Sequence, residues 1–325
     1  MPYLDLKVRY HLFALFMLCL LVLSGFVGCM PSHWPQSSQT LAPGDYERRL
    51  MDQGRNRSYL LHIPPKQGNE PLPVVVNFHG GGGNAWQHRK WTRMNAHADR
   101  NAYVVIYPNG TGRVPDKLLV WNAGHCCGYA TLHGIDDVGF TFAAIEEAST
   151  LTSIDLSRIY LTGLSNGAMM VYRIAAEYPE RIAAIAPIAG TMLVDAIQGR
   201  APMPILHIHS LNDPRVPYEG RPGAHFRFPR VERTIDQWLR YNDCPVQADA
   251  RRSMMRQSVR LGHHAKRLVY GPCRDGVEVR FWQLEGPGHV WPGGLPDYFP
   301  RLLGASTDVL NANELMWQFF SQYHR

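Results

Sequence analysis

The sequence predicts an α/β protein: a mostly parallel central sheet flanked by helices, entered through an N-terminal antiparallel hairpin. Three observations carry this. Short Val/Ile-rich runs alternate with helix-length stretches along most of the chain. The runs are apolar at successive positions, as strands covered by helices on both faces must be. Of the 325 residues, 45% are hydrophobic and 18% charged, which suits a chain with a large core and excludes a disordered one.

In chain order, Tyr46 to Pro64 reads as a hairpin turning about Gln53-Gly54-Arg55-Asn56. Strands are expected at Pro73–Phe78, Tyr103–Tyr107, Arg158–Thr162, Ile182–Ile188, Pro204–His209 and Val277–Trp282. Helices are expected at Trp91–Arg100, Asp136–Thr150, Asn166–Tyr178, Arg230–Tyr241 and Asp308–Tyr323. Gly and Pro follow no short period, which excludes collagen and repeat solenoids.

The first residues read as an address. Lys7 and Arg9 precede an apolar run from Leu12 to Val27, and Phe26-Val27-Gly28-Cys29 resembles a bacterial lipobox. Residues 1–28 are therefore expected to be a lipoprotein-type signal peptide and Cys29 the acylated residue. Residues 29–45 would be a Pro/Ser-containing tether and 46–325 a single domain. Export predicts an extracellular, periplasmic or membrane-anchored protein in an oxidising setting. Outside Cys19 and Cys29 the cysteines are Cys126, Cys127, Cys244 and Cys273. Cys244 with Cys273 is the most economical pairing, leaving Cys126 and Cys127 as a vicinal pair. No Cys-x-x-Cys spacing suggests a metal.

The chemistry gathers at four places. Gly163-Leu164-Ser165-Asn166-Gly167 follows a strand and opens a helix; its glycines allow a sharp turn that presents Ser165 outward. A serine hydroxyl needs a base, and the expected chain order is Ser, acid, His. Asp213 follows the strand ending at His209 and is the candidate acid, with Asp195 in reserve. His289, in the loop Gly286-Pro287-Gly288-His289 after the last strand, is the candidate base. His207 and His209 alternate on a strand and read as supporting core positions. The fourth place is His79-Gly80-Gly81-Gly82-Gly83-Asn84. Glycines there let backbone N–H groups approach an oxyanion, with Gly81 and Asn166 the expected donors. No Gly-Lys-Ser/Thr follows, which sets aside a phosphate loop.

Together these motifs resemble the secreted esterases related to polyhydroxybutyrate depolymerases and feruloyl esterases. The resemblance rests on His79–Asn84, Tyr107-Pro108-Asn109-Gly110, Trp121 with Cys126-Cys127-Gly128, Asp136-Asp137-Val138-Gly139-Phe140, Gly163–Gly167, Asp213 and Gly288–Gly293. It runs from about Tyr46 to the C-terminus. It implies an α/β-hydrolase that cleaves esters of hydroxy acids or of plant-wall polysaccharides with a Ser165–His289–Asp213 triad and no cofactor. Where family members show His-Gly before the acid, this chain has His209 followed by Ser210-Leu211-Asn212. Trp121 and Trp291 are candidates for the substrate pocket. Other readings of the same motifs are a surface lipoprotein that binds through a hydrolase scaffold, and a serine peptidase of the same fold.

The formal net charge of +6 invites a nucleic-acid reading, but no helix-turn-helix, zinc or aromatic platform supports one. The charge is local. Pro245–Asp275 holds seven Arg or Lys against two Asp and is expected to be an irregular basic insert framed by Cys244 and Cys273.

Overall fold

Alternating exposed and half-buried side chains give Gly44–Asp52 (β1) one face for the protein and one for solvent, and it pairs antiparallel with Arg55–Ile63 (β2) across the turn at Gln53 and Gly54. The strands that follow are Leu72–Phe78 (β3), Val104–Pro108 (β4), Ile154–Leu164 (β5), Ala184–Ile188 (β6) and Ile205–Ser210 (β7). Met254–Gln257 (β8), His264–Tyr270 (β9) and Val279–Glu285 (β10) complete one sheet in the order β1-β2-β4-β3-β5-β6-β7-β10-β9-β8. The block from β4 to β10 is parallel, and both edges are antiparallel. This computed structural model describes residues 40–65, 70–222, 228–249, 252–296 and 299–325.

Successive residues of β3 serve opposite layers. Val74, Val76 and Phe78 join a core with Asp137–Leu151 (α4), Asn166–Glu177 (α5) and Val231–Tyr241 (α6). Val75 joins the other, with Ala85–Thr92 (α1), Met94–Asn101 (α2) and Ala312–Phe320 (α8). Two short helices, Gly128–Leu132 (α3) and Pro300–Leu303 (α7), lie in the loops. The chain leaves β3 for β4 on one side and returns to β5 on the other, so the loops after β3 and β5 flank a switch point, where parallel sheets hold ligands.

Four expectations change. Leu41 N–H donates to Leu151 O at 2.8 Å and Asp45 is hydrogen-bonded to His62 and Asn95, so the chain is already part of the fold within the expected tether. The helix expected at Trp91–Arg100 is two helices, broken where Arg93 turns left-handed with φ 54°. The last helix is shorter than expected. The basic segment is not irregular: β8 and β9 extend the sheet beyond β10. Disulfides join Cys244 to Cys273 and Cys126 to Cys127. The leader, Cys19, Cys29 and Arg251 lie outside the described residues.

Candidate active site

Four loops at the ends of β3, β5, β7 and β10 build the site. Ser165 caps α5 with φ 58° and ψ −122°, a conformation that costs a non-glycine residue energy and needs surrounding structure to hold it. Ser165 N–H donates to Ile188 O at 3.0 Å. The flanking glycines are sterically required. A Cβ on Gly163 would stand 2.8 Å from Phe78 O, and one on Gly167 would meet the carbonyls of Phe78 and His79.

The loop after β3 lies against this turn. A Cβ on Gly80 would lie 3.5 Å from Ser165 Cβ, and one on Gly81 would lie 3.5 Å from Asn166 Cβ. His79 staples the loop. Gly110 N–H donates to its Nε2 at 3.0 Å, which leaves Nδ1 protonated to donate to Gly80 O at 2.8 Å. Burial pushes the His79 imidazole down to about 4, so the staple is neutral.

Asp213 and His289 approach from β7 and β10, which pair with Leu284 beside Ser210. His289 Nδ1 donates to Asp213 Oδ2 at 2.7 Å, and both residues are buried. Asp213 Oδ1 accepts the N–H groups of Arg215 and Val216, each at 2.8 Å. Burial raises the Asp213 carboxyl, but His289, His209 and these N–H groups outweigh it and hold the pKa below the usual carboxylate range. Ser210 and Asn212, in the stretch that follows His209, latch the two loops together: Ser210 Oγ donates to Pro287 O, and Asn212 Oδ1 accepts Gly286 N–H at 2.8 Å. His289 itself is pinned by its N–H donating to Leu303 O at 2.6 Å.

Behind Asp213 runs a buried chain of donors. Tyr172 lies 2.9 Å from His207 Nδ1, and His207 Nε2 lies 3.3 Å from His209 Nδ1. His209 Nε2 then reaches Val216 O at 2.9 Å and faces Asp213 Oδ2 at 3.6 Å. With His209 donating to the Val216 carbonyl, every donor in the chain points toward the acid loop. His207 and His209 are therefore supports of that loop, as their alternation on a strand suggests.

Ser165 and His289 open on one cavity of about 350 Å³, lined also by the glycine loop, Trp91, Leu118, Phe299, Leu302 and Leu303. Trp121 and Trp291 do not line it, which corrects the sequence expectation. Both are fully enclosed: Trp291 Nε1 donates to Asn313 Oδ1, and Trp121 Nε1 donates to His79 O at 2.8 Å. Trp121 is a strut instead, because Asn166 Oδ1 also accepts its backbone N–H and Asn166 Nδ2 donates to its carbonyl. Asp195 pairs with exposed His125 and takes no part in the site.

A family model described as esterase PHB depolymerase matches residues 57–219. The bifunctional acetylxylan esterase/xylanase XynS20E of Neocallimastix patriciarum is 27% identical over 246 residues, 75% of this chain and 32% of that protein. The putative esterase NocK of Nocardia uniformis subsp. tsuyamanensis is 27% identical over 289 residues, 84% of this chain and 81% of that protein. The chain thus spans about a third of the first relative's length and four-fifths of the second's. Among solved structures, acetyl xylan esterase from Aspergillus awamori superposes with a TM-score of 0.57 at 16% identity, over 85% of this chain and 99% of that one. That likeness is one of fold, the α/β-hydrolase fold.

Proposed function

The chain belongs to the esterase PHB depolymerase family, and from that premise we propose that it is an exported serine hydrolase of carboxylic esters. Ser165 is the nucleophile, and His289 takes its proton as Oγ attacks the ester carbonyl. The N–H groups of Gly81 and Asn166 hold the oxyanion, and the α5 dipole adds to their field. Asp213 fixes the His289 tautomer and stabilises the imidazolium. His289 then protonates the leaving alcohol, and water releases the acyl group by the same route. The substrate classes are hydroxybutyrate-type oligomers and feruloyl or acetyl esters of polysaccharides, and the leader of residues 1–28 with Cys29 would carry the enzyme to the membrane or beyond.

The single observation that supports this most is the 2.7 Å bond from His289 Nδ1 to buried Asp213, in a loop facing the cavity that Ser165 enters. The experiment is a hydrolysis panel with Ser165→Ala beside the wild type, and labelling of intact cells by a membrane-impermeant fluorophosphonate. The variant should lose at least about a thousandfold in kcat, and only the wild type should be labelled. Turnover retained in Ser165→Ala would refute the nucleophile; labelling that appears only after lysis, and not in cells whose outer envelope alone has been permeabilised, would refute export.

A further inference from the structure

We propose that Arg215 is a carboxylate-binding residue of this cavity, so that the preferred ester carries a carboxylate close to its scissile bond; this rests on the esterase reading above. The cavity's apolar lining comes from Trp91, Leu118, Phe299, Leu302 and Leu303. Among the described lining residues Arg215 is the sole permanently charged side chain, and none is acidic. Arg57, Arg48 and Arg173 are paired with Asp137, Glu147 and Glu177. Arg215, like exposed Arg55, Arg100 and Arg240, has no carboxylate partner among the described residues; its place in the cavity lining is what sets it apart. Among the described residues nothing hydrogen-bonds or ion-pairs with the Arg215 guanidinium. Neighbouring Asp213 is not available to it, because Oδ1 holds two backbone N–H groups and Oδ2 holds His289.

The position is rigid although the head group is unpaired. Arg215 N–H is tied to Asp213, and prolines at 214 and 217 restrict the backbone on either side. The charge is thus carried two residues from the carboxylate that orients His289. A guanidinium offers a planar pair of donors that matches a carboxylate, and because Arg215 is exposed its attraction acts from the solvent-facing side of the cavity and is screened by salt. An oligomer of a hydroxy acid ends in a carboxylate by its own chemistry, whereas an acetyl or feruloyl ester of a neutral sugar has none. Arg215 therefore selects the first class over the second.

The test compares kcat/KM for a hydroxybutyrate trimer as the free acid and as its terminal carboxamide, which share the scissile ester. In the wild type the acid should be preferred by about tenfold, and the preference should shrink as salt rises from about 0.05 to about 0.5 M. Arg215→Gln should bring the ratio near one, Arg215→Glu should invert it, and Arg215→Lys should keep part of it. The carboxamide exposes any folding defect, since misfolding lowers both rates, and the salt series needs no variant. A wild-type ratio near one, a ratio insensitive to salt, or one that survives Arg215→Glu overturns the proposal. Inertness toward both trimers, with 4-nitrophenyl acetate still cleaved, overturns it and leaves the esterase reading standing; inertness toward every ester overturns that reading instead.

Discussion

At the scale of single residues, the site depends on side chains that never meet a substrate. Trp121 has one polar atom, and that atom holds His79 O, the carbonyl that begins the glycine loop. Asn166 clasps the Trp121 backbone from the other side, so one strut sets the spacing between the two proposed oxyanion donors. Trp121→Phe keeps the ring and its edge-on packing on Phe78 but removes the N–H. A buried carbonyl without its donor costs about 1–3 kcal/mol, and the loop can recover part of that by shifting. A shift that misplaces the oxyanion donors raises the barrier more than it weakens binding. Steady-state kinetics should therefore show kcat lower by about tenfold with KM nearly constant. A variant with wild-type kcat and only a lower melting temperature would make Trp121 structural alone. None of this is legible in the sequence: a tryptophan at 121 looks the same whether it lines a pocket or braces a loop, and only tertiary placement separates the two.

At the scale of elements, α4 is held to the sheet by a buried ion pair. Arg57 on β2 reaches Asp137 Oδ1 at 2.7 Å, and Asp137 Oδ2 accepts Asn122 N–H at 2.8 Å. Burial raises the Asp137 carboxyl, and Arg57 pulls it back. Removing one partner strands the other charge. Asp137→Ala should lose about 3–5 kcal/mol in urea unfolding, while replacing both with apolar residues of similar size should cost less. A double variant worse than the single would show that the pair itself stabilises the fold. The elements that sequence reading missed share a physical cause. β8, the edge strand, is exposed along its length and carries Arg256, since charge on an edge strand discourages pairing with other chains, and β9 beside it carries Lys266 and Arg267. That charge hid the strand alternation. The parallel strands were readable since both faces are apolar, and Ser165, Asp213 and His289 were readable since each follows such a strand in the expected order. The cavity wall was not readable: Trp91, Leu118 and Phe299 come from three separate segments with no shared local pattern.

At the scale of the molecule, the +6 net charge is no single basic patch. Acidic residues outside the segment answer it: Arg252 pairs with Glu278, Arg260 with Asp308 and Arg274 with Asp243. The more consequential titration is internal. His79, His88, His207 and His209 are buried, and burial lowers the pKa of each; His97 is lowered as well. These imidazoles are held neutral, whereas in the unfolded chain they titrate near the ordinary value of about 6.5. The sign follows from that difference. Above about pH 6.5 neither state binds the proton and the full stability is present. Below it the unfolded chain takes up protons that the folded chain refuses, so stability falls as the pH drops toward the folded values, about 4 for His79. At about pH 5.5 His79 alone costs on the order of 1 kcal/mol, and the other buried imidazoles shift stability in the same direction. Melting temperatures measured from about pH 7.5 to about pH 5 should decline steeply below pH 6.5, with no comparable change above it. Replacing His207 with Gln, which keeps hydrogen-bonding capacity but cannot titrate, should flatten that decline while lowering stability at neutral pH. A midpoint independent of pH across this window would mean that these imidazoles titrate alike in both states.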